Sequence, residues 1–231
     1  MSKRHAKQAT PQRLATLAFI GAAGIASESQ IHRRNYATIL PASVRDQLNQ
    51  MVRAGWIAVR STDVRHPGRA ERCYVLTTKG AQLFSRVARQ ELQVGAPSAG
   101  ELRQQLLAQE ARIQLEYAAR ERGAQVIEWR SERVLRSAYN RQWATAQRLG
   151  GPSPAQELPD AQAVLREADG RIHVIDIECD GQYYGQMLKS KVDRFHGSQR
   201  PIVWVCEGSR ATLVQQAVTT SHAANIAVVT V

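Results

Sequence analysis

Apolar positions near the start of the chain recur at three- and four-residue intervals, the spacing at which side chains share one face of an α-helix. Leu14, Leu17, Ala18 and Ile20 form one such stripe, behind Thr10 as a cap and Pro11 at the first helical position. After a looser stretch from Gly21 to Ser27, the run Ser27-Glu28-Ser29-Gln30 predicts a short helix reaching about Arg34. A third helix is predicted from about Ala42 to Ala54, with Val44, Leu48, Met51 and Val52 inward and Gly55 at its stop. The pattern then turns extended. Trp56 to Arg60 and Cys73 to Leu76 read as strands on either side of a polar stretch with a Pro67-Gly68 turn. Thr77-Thr78-Lys79-Gly80 opens another helix, to about Glu91.

A Gly- and Pro-bearing stretch around residues 95–100 predicts a linker, and a long helix follows from Glu101 to about Arg122. Gln125 to Arg130 is strand-like, and residues 131–158 are mixed, with a Gly150-Gly151-Pro152-Ser153-Pro154 loop. Asp160 to Glu167 and Arg171 to Cys179 predict a hairpin turning at Asp169-Gly170. A helix from about Tyr184 to Phe195, a strand from Pro201 to Cys206, a helix from about Arg210 to His222 and a strand from Ile226 to Val231 complete the chain. The order predicted for residues 101–231 is therefore α-β-β-β-α-β-α-β.

Charge divides the chain in the same place. Residues 1–94 hold 15 Lys and Arg against 5 Asp and Glu, which accounts for +10 of the formal net charge of +11. So polarised a distribution implies that this part meets a polyanion. With 43% hydrophobic residues, both parts can build cores. The expected organisation is a flexible basic arm over 1–9, a basic domain over 10–94, and an α/β domain over 101–231. Cys73, Cys179 and Cys206 lack paired spacing and are expected to be reduced, buried thiols. No apolar run approaches the roughly 20 residues of a membrane span, and the basic start has no signal-type apolar segment, so a cytoplasmic protein is expected.

The segment from Val44-Arg45-Asp46-Gln47-Leu48 to Gly55-Trp56-Ile57, followed by Gly68-Arg69 and Tyr74-Val75-Leu76-Thr77-Thr78-Lys79-Gly80, resembles the winged helix-turn-helix family. The resemblance implies double-stranded DNA as partner, with the third helix in the major groove and the two strands as a wing on the backbone. Opposite the apolar stripe of that helix stand Ser43, Arg45, Gln47, Asn49 and Arg53, while Arg65, His66, Arg69 and Arg72 populate the wing. Arginine pairs with guanine edges or phosphates, and asparagine and glutamine with adenine, so these are the candidate DNA contacts. Paired half-sites are common for such domains, and a homodimer is expected.

Carboxylates gather in the second part. In a hairpin turning near Asp169, Asp160 and Glu178 are equidistant from the turn and lie side by side, while Asp176, Glu178 and Asp180 alternate onto one strand face. Pro159-Asp160 with Asp176-Ile177-Glu178 in this element order resembles the PD-(D/E)xK restriction-endonuclease-like fold. That resemblance implies Asp160, Asp176 and Glu178 as catalytic acids and a Mg²⁺ or Mn²⁺ cofactor, with Glu110, Asp160 and Glu178 as metal ligands. The family's lysine falls where this chain has Asp180 or Glu178; Lys189 and Lys191 on the following helix are the displaced candidates.

Gln104-Gln105-Leu106-Leu107-Ala108-Gln109-Glu110, Trp129-Arg130-Ser131-Glu132-Arg133, Pro159-Asp160-Ala161 and Ile177-Glu178-Cys179-Asp180 together resemble the replication-relaxation family. The family usually has His-Asp where this chain has Gln104-Gln105. The resemblance implies a DNA-binding protein of a plasmid or mobile element, acting in replication, relaxation or mobilisation beside other DNA-processing proteins through a winged helix and a degenerate nuclease-like domain. Mg-dependent DNA endonuclease or nickase activity and transcriptional repression are the alternatives. No Gly-x-x-x-x-Gly-Lys-Ser/Thr loop or Gly-x-Ser-x-Gly elbow is present, and His173 and His196 have no partners at ligand spacing.

Overall fold

A computed structural model describes residues 9–66, 69–86, 92–148, 158–198 and 200–231, without the side chains of 61–66, 69–71 and 99–100. The expected basic arm, the Pro67-Gly68 turn and the Gly150–Pro154 loop thus fall mainly or wholly outside the described residues. The chain is mixed α/β, with two sheets, and divides into two compact units, Met1–Gln109 and Glu110–Val231.

In the first unit α1 (Pro11–Ala23), β1 (Ala26–Ser27), α2 (Glu28–Asn35) and α3 (Pro41–Arg53) precede the hairpin of β2 (Ile57–His66) and β3 (Arg69–Leu76), and α4 (Thr78–Ser85) follows. The antiparallel sheet has the order β1-β3-β2. Thr10 caps α1 as its sequence position implied, accepting the Arg13 N–H at 3.3 Å. The helix runs further than its loosened apolar pattern suggested, through buried Gly21, Ala22 and Ala23, because Leu76 and Leu92 close directly on Gly21. Leu17, Ile20, Val44, Leu48 and Met51 are fully buried, so α1 and α3 both turn their apolar stripes into the core of this unit.

The Thr77-x-x-Gly80 spacing has a steric reason. Thr77 caps α4 and donates its hydroxyl towards the Gly55 and Trp56 carbonyls, at 2.7 and 3.0 Å. A Cβ on Gly80 would run into the Trp56 carbonyl oxygen, so only glycine lets α4 approach the start of the hairpin.

At α2 the Ser27 hydroxyl accepts the Gln30 N–H at 3.2 Å, and the side-chain Oε1 of Gln30 accepts the Ser27 N–H at 3.1 Å. Gln30 also donates to the Leu106 carbonyl at 2.8 Å. Both side chains are buried, so no water replaces a lost partner. Ser27→Ala is expected to destabilise the first unit by about 1–2 kcal/mol, read as a lower urea midpoint at unchanged slope. An unshifted midpoint would remove the reciprocal cap from this account.

The boundary between the units lies within α5 (Ala99–Glu121). Leu102 and Leu106 pack against Ile25, Cys73 and Val75, and Gln109 donates to the Phe19 and Ile25 carbonyls at 2.9 and 3.2 Å. These contacts tie the beginning of α5 to the first unit.

The second unit contains β4 (Gln125–Ser131), α6 (Glu132–Arg148), β5 (Ala161–Arg166), β6 (Ile172–Cys179), α7 (Gly185–His196), β7 (Ile202–Cys206), α8 (Ala211–Thr220) and β8 (Ile226–Thr230). A 3-10 turn, Gly208–Arg210, leads into α8. The sheet order is β4-β5-β6-β7-β8, antiparallel up to β6 and parallel beyond. The α-β-β-β-α-β-α-β expectation is corrected by α6, which stands between the first two strands. Its apolar residues Val134, Leu135, Ala138 and Tyr139 share one side, but arginine, asparagine and glutamine interrupt the run, which therefore reads as mixed. Leu188, Val192 and Phe195 of α7 and Val214 and Val218 of α8 bury Ile202, Trp204 and Cys206 of β7, with Phe195 edge-on to Trp204.

Candidate functional site

In the first unit the polar side of α3 faces water. Ser43, Arg45 and Arg53 are exposed and Gln47 and Asn49 half-buried, directly opposite Val44, Leu48 and Met51. Arg45 is not a free contact, because Glu28 of α2 holds it at 2.6 Å. The same carboxylate accepts the Tyr74 hydroxyl at 3.0 Å. Burial, and then the Glu28 charge, push the Tyr74 phenol up to about 12. Glu28 therefore ties α2, α3 and β3 together and sets the direction of Arg45. Arg72 is exposed on β3 near Tyr74. The side chains of Arg65, His66 and Arg69 lie outside the described residues, while their backbones pair across the hairpin as Arg65 with Ala70 and His66 with Arg69.

In the second unit the hairpin register places the acids in rows. Gln162 lies opposite Asp176 and Ala161 opposite Ile177, which brings Asp160 beside Glu178. Asp176, Glu178 and Asp180 are at most 3% exposed and alternate along one side of β6 and its end. Buried like charges at this spacing require compensation. Each has it. Asp176 accepts the Gln162 amide at 2.8 Å and faces Arg200 at 3.6 Å, while Arg130 steadies Gln162 from β4 at 2.9 Å.

Glu178 is ion-paired with Lys191, itself buried on α7. Asp160 accepts the Cys179 N–H at 2.7 Å, and its carboxyl stands beside that of Glu178 across the hairpin. Burial raises the Asp160 carboxyl, against the lowering effect of the Cys179 N–H and Lys191. Glu178 is driven well above the usual carboxylate range, by burial first and by Asp160 second. Burial works to lower the Lys191 ammonium, but Glu178, Asp160 and Tyr183 override it and hold the group above its ordinary value. The pair of acids thus favours holding a proton while the lysine stays charged.

Asp180, at the position expected for a lysine, meets Arg210 instead. The guanidinium forks onto both carboxylate oxygens at 2.7 and 3.2 Å, donates to the Tyr183 carbonyl at 2.6 Å, and lies 4.3 Å from the Tyr184 ring centroid.

The expected acids Asp160, Asp176 and Glu178 do come together, and Lys191 joins them. Lys189 does not: it points to the surface and pairs with Asp193 at 2.7 Å. Glu110 is half-buried on α5, and among the described residues no group of three or more His, Cys, Asp and Glu side chains could hold a metal ion. The donors therefore do not fit Mg²⁺ or Mn²⁺ as arranged, since an ammonium, not a cation site, faces Glu178. Gln162 was legible as the register partner of Asp176. Arg130, Arg200 and Arg210 carry no such signal, because the contacts join separate elements.

The family described as Replication-relaxation matches residues 17–205. No curated protein matches the chain. Among solved structures, Bacillus subtilis PadR in complex with operator DNA shares 15% identity, covering 64% of this chain and 81% of that one, at a TM-score of 0.28, a likeness too distant to bear on fold or function. Among the described residues no helix is long and apolar enough to cross a membrane.

Proposed function

The chain belongs to the replication-relaxation family, and from that premise we propose that it is a DNA-binding protein of a plasmid or mobile element, acting in DNA replication, relaxation or mobilisation. In this reading the first unit is a winged helix-turn-helix, with α3 as the groove helix and β2–β3 as the wing. The observation that carries it is the exposed polar and basic side of α3 set over a buried apolar stripe. The second unit is read as a restriction-endonuclease-like scaffold. Its acids are matched by Lys191, Arg200 and Arg210, a pattern that supports structural compensation over cleavage.

Phosphate contacts make binding salt-dependent, with a log–log slope near −0.9 per phosphate neutralised. Arg53→Ala is expected to weaken duplex binding about tenfold and to make that slope shallower by about one, measured by fluorescence anisotropy between about 50 and 200 mM salt. Salt-independent binding would sink the DNA-binding reading. Nicking of supercoiled plasmid with Mg²⁺ or Mn²⁺ by the natural chain, abolished by Asp160→Asn, would overturn the non-cutting scaffold.

A further inference from the structure

The near-neutral formal charge of the second unit conceals a basic surface. Asp176, Glu178 and Asp180 are buried and matched one for one by Arg200, Lys191 and Arg210, so the remaining charges keep the same near-neutral balance and any basic surface is local. α6 is such a place. None of its residues is fully buried, and Arg133, Arg136, Arg141 and Arg148 are all exposed. Glu132, the acid of the helix, is already paired with Arg136. Arg133, Arg141 and Arg148 face no carboxylate among the described residues; Arg141 donates to Ser137 at 2.8 Å.

Helical geometry puts these three guanidinium groups on one side, within about a quarter turn of one another, along a ridge of roughly 22 Å. Asn140 and Gln147 are exposed on its flank. α6 packs on β4 and β5, and Leu135, Tyr139 and Ala146, on the side away from these arginines, are half-buried. An amphipathic basic helix that binds membranes does so through its apolar side, which here is occupied by the sheet. A protein partner would favour an apolar centre, and the ridge has none. A polyanion with repeating charges fits.

We propose that α6 is a second DNA-binding surface, gripping the phosphate backbone through Arg133, Arg141 and Arg148. This rests on the reading that the chain binds duplex DNA, and adds a contact in the unit whose sequence charge gives no hint of one. The ridge begins beside the acid rows: the Glu132 N–H donates to the Asp160 carbonyl at 2.8 Å. A backbone laid along α6 therefore ends next to Asp160. Guanidinium groups favour phosphate oxygens through paired N–H donors.

The test uses the full chain with a fluorescent duplex of about 30 base pairs, long enough for a dual contact of several helical phosphates. Replacing Arg133, Arg141 and Arg148 together by alanine is expected to make the salt slope shallower by about 2.7, at 0.9 per lost phosphate. The protected stretch in hydroxyl-radical footprinting should shorten. The corresponding lysine replacements should retain the slope, since the charge remains. A slope and footprint unchanged in a folded alanine variant overturn the proposal. If Arg53→Ala weakens binding while those α6 replacements do not, the α6 contact fails and the winged-helix reading stands. Absence of duplex binding by the natural chain overturns both. Should the alanine variant not fold, Arg141→Glu alone decides, with binding weakened about tenfold expected and unaltered binding fatal to the proposal.

Discussion

Arg210→Met is expected to destabilise the second unit by about 3–5 kcal/mol. The residue is buried, its guanidinium holds both oxygens of a carboxylate that is 1% exposed, and methionine supplies neither charge nor donor. Removing one member of a buried pair leaves the other without solvent or partner, which costs more than the net stability of the pair itself. The Tyr183 carbonyl loses its donor as well, and Tyr184, 64% exposed, loses the cation beneath its ring. Arg210→Lys keeps the charge without the planar fork, so it should recover only part of the loss. Amide hydrogen exchange in β6 and β7 localises the effect to this unit. A loss below about 1 kcal/mol, the scale of an exposed pair, would show that Asp180 finds another partner or solvent.

The contrast between Arg210 and the acids it serves shows what a sequence can disclose here. Strand alternation and the Asp169-Gly170 turn place Asp160 beside Glu178 and put Asp176, Glu178 and Asp180 on one side, and the hairpin has that register. The inward stripe of α3 was likewise legible, because a period of 3.6 fixes which residues share a side. Compensating cations follow no local period. Arg210 lies 30 residues from Asp180, and Arg45 lies 17 from Glu28, so neither pairing is visible before the elements pack. Lys189 and Lys191 form the instructive intermediate case. Positions 188, 191, 192 and 195 recur at helical spacing, and the apolar members Leu188, Val192 and Phe195 mark the buried side. Lys191 belongs to that series and Lys189 does not, a distinction that separates a buried counter-ion from a surface pair. Residues 131–148 carry no comparable signal, because their inward stripe is short and broken by polar side chains. The chemistry of α6 therefore became apparent only with its exposed side.

Lys191→Met is expected to destabilise the second unit by about 3–5 kcal/mol near pH 8, because it too leaves an unpartnered buried charge, and the loss depends on pH. Asp160 and Glu178 both have pKa values raised above those of an unfolded chain. A raised carboxyl binds more protons folded than unfolded, so its contribution favours the fold at low pH and is lost as pH rises through the folded value. Lys191 opposes that loss by stabilising the ionised acids. Its own raised pKa keeps its contribution whole below the ordinary lysine value of 10.5. Without the ammonium the two carboxyls rise further, and folding takes up protons across the neutral range. The stability difference from the natural chain should therefore shrink between pH 8 and pH 5, to about half, as the acids neutralise themselves. Asp160→Asn supplies the complementary arm. Its amide oxygen still accepts from Cys179 while the like charge beside Glu178 is gone, so it should restore part of the stability lost in Lys191→Met at pH 8. A double-mutant cycle by urea unfolding at both pH values isolates this coupling. Equal losses at pH 5 and pH 8, with no rescue by Asp160→Asn, would assign the role of Lys191 to packing against Tyr183 and Phe195. The Asp160–Glu178 pair would then owe its tolerance of burial to protonation and the Cys179 N–H.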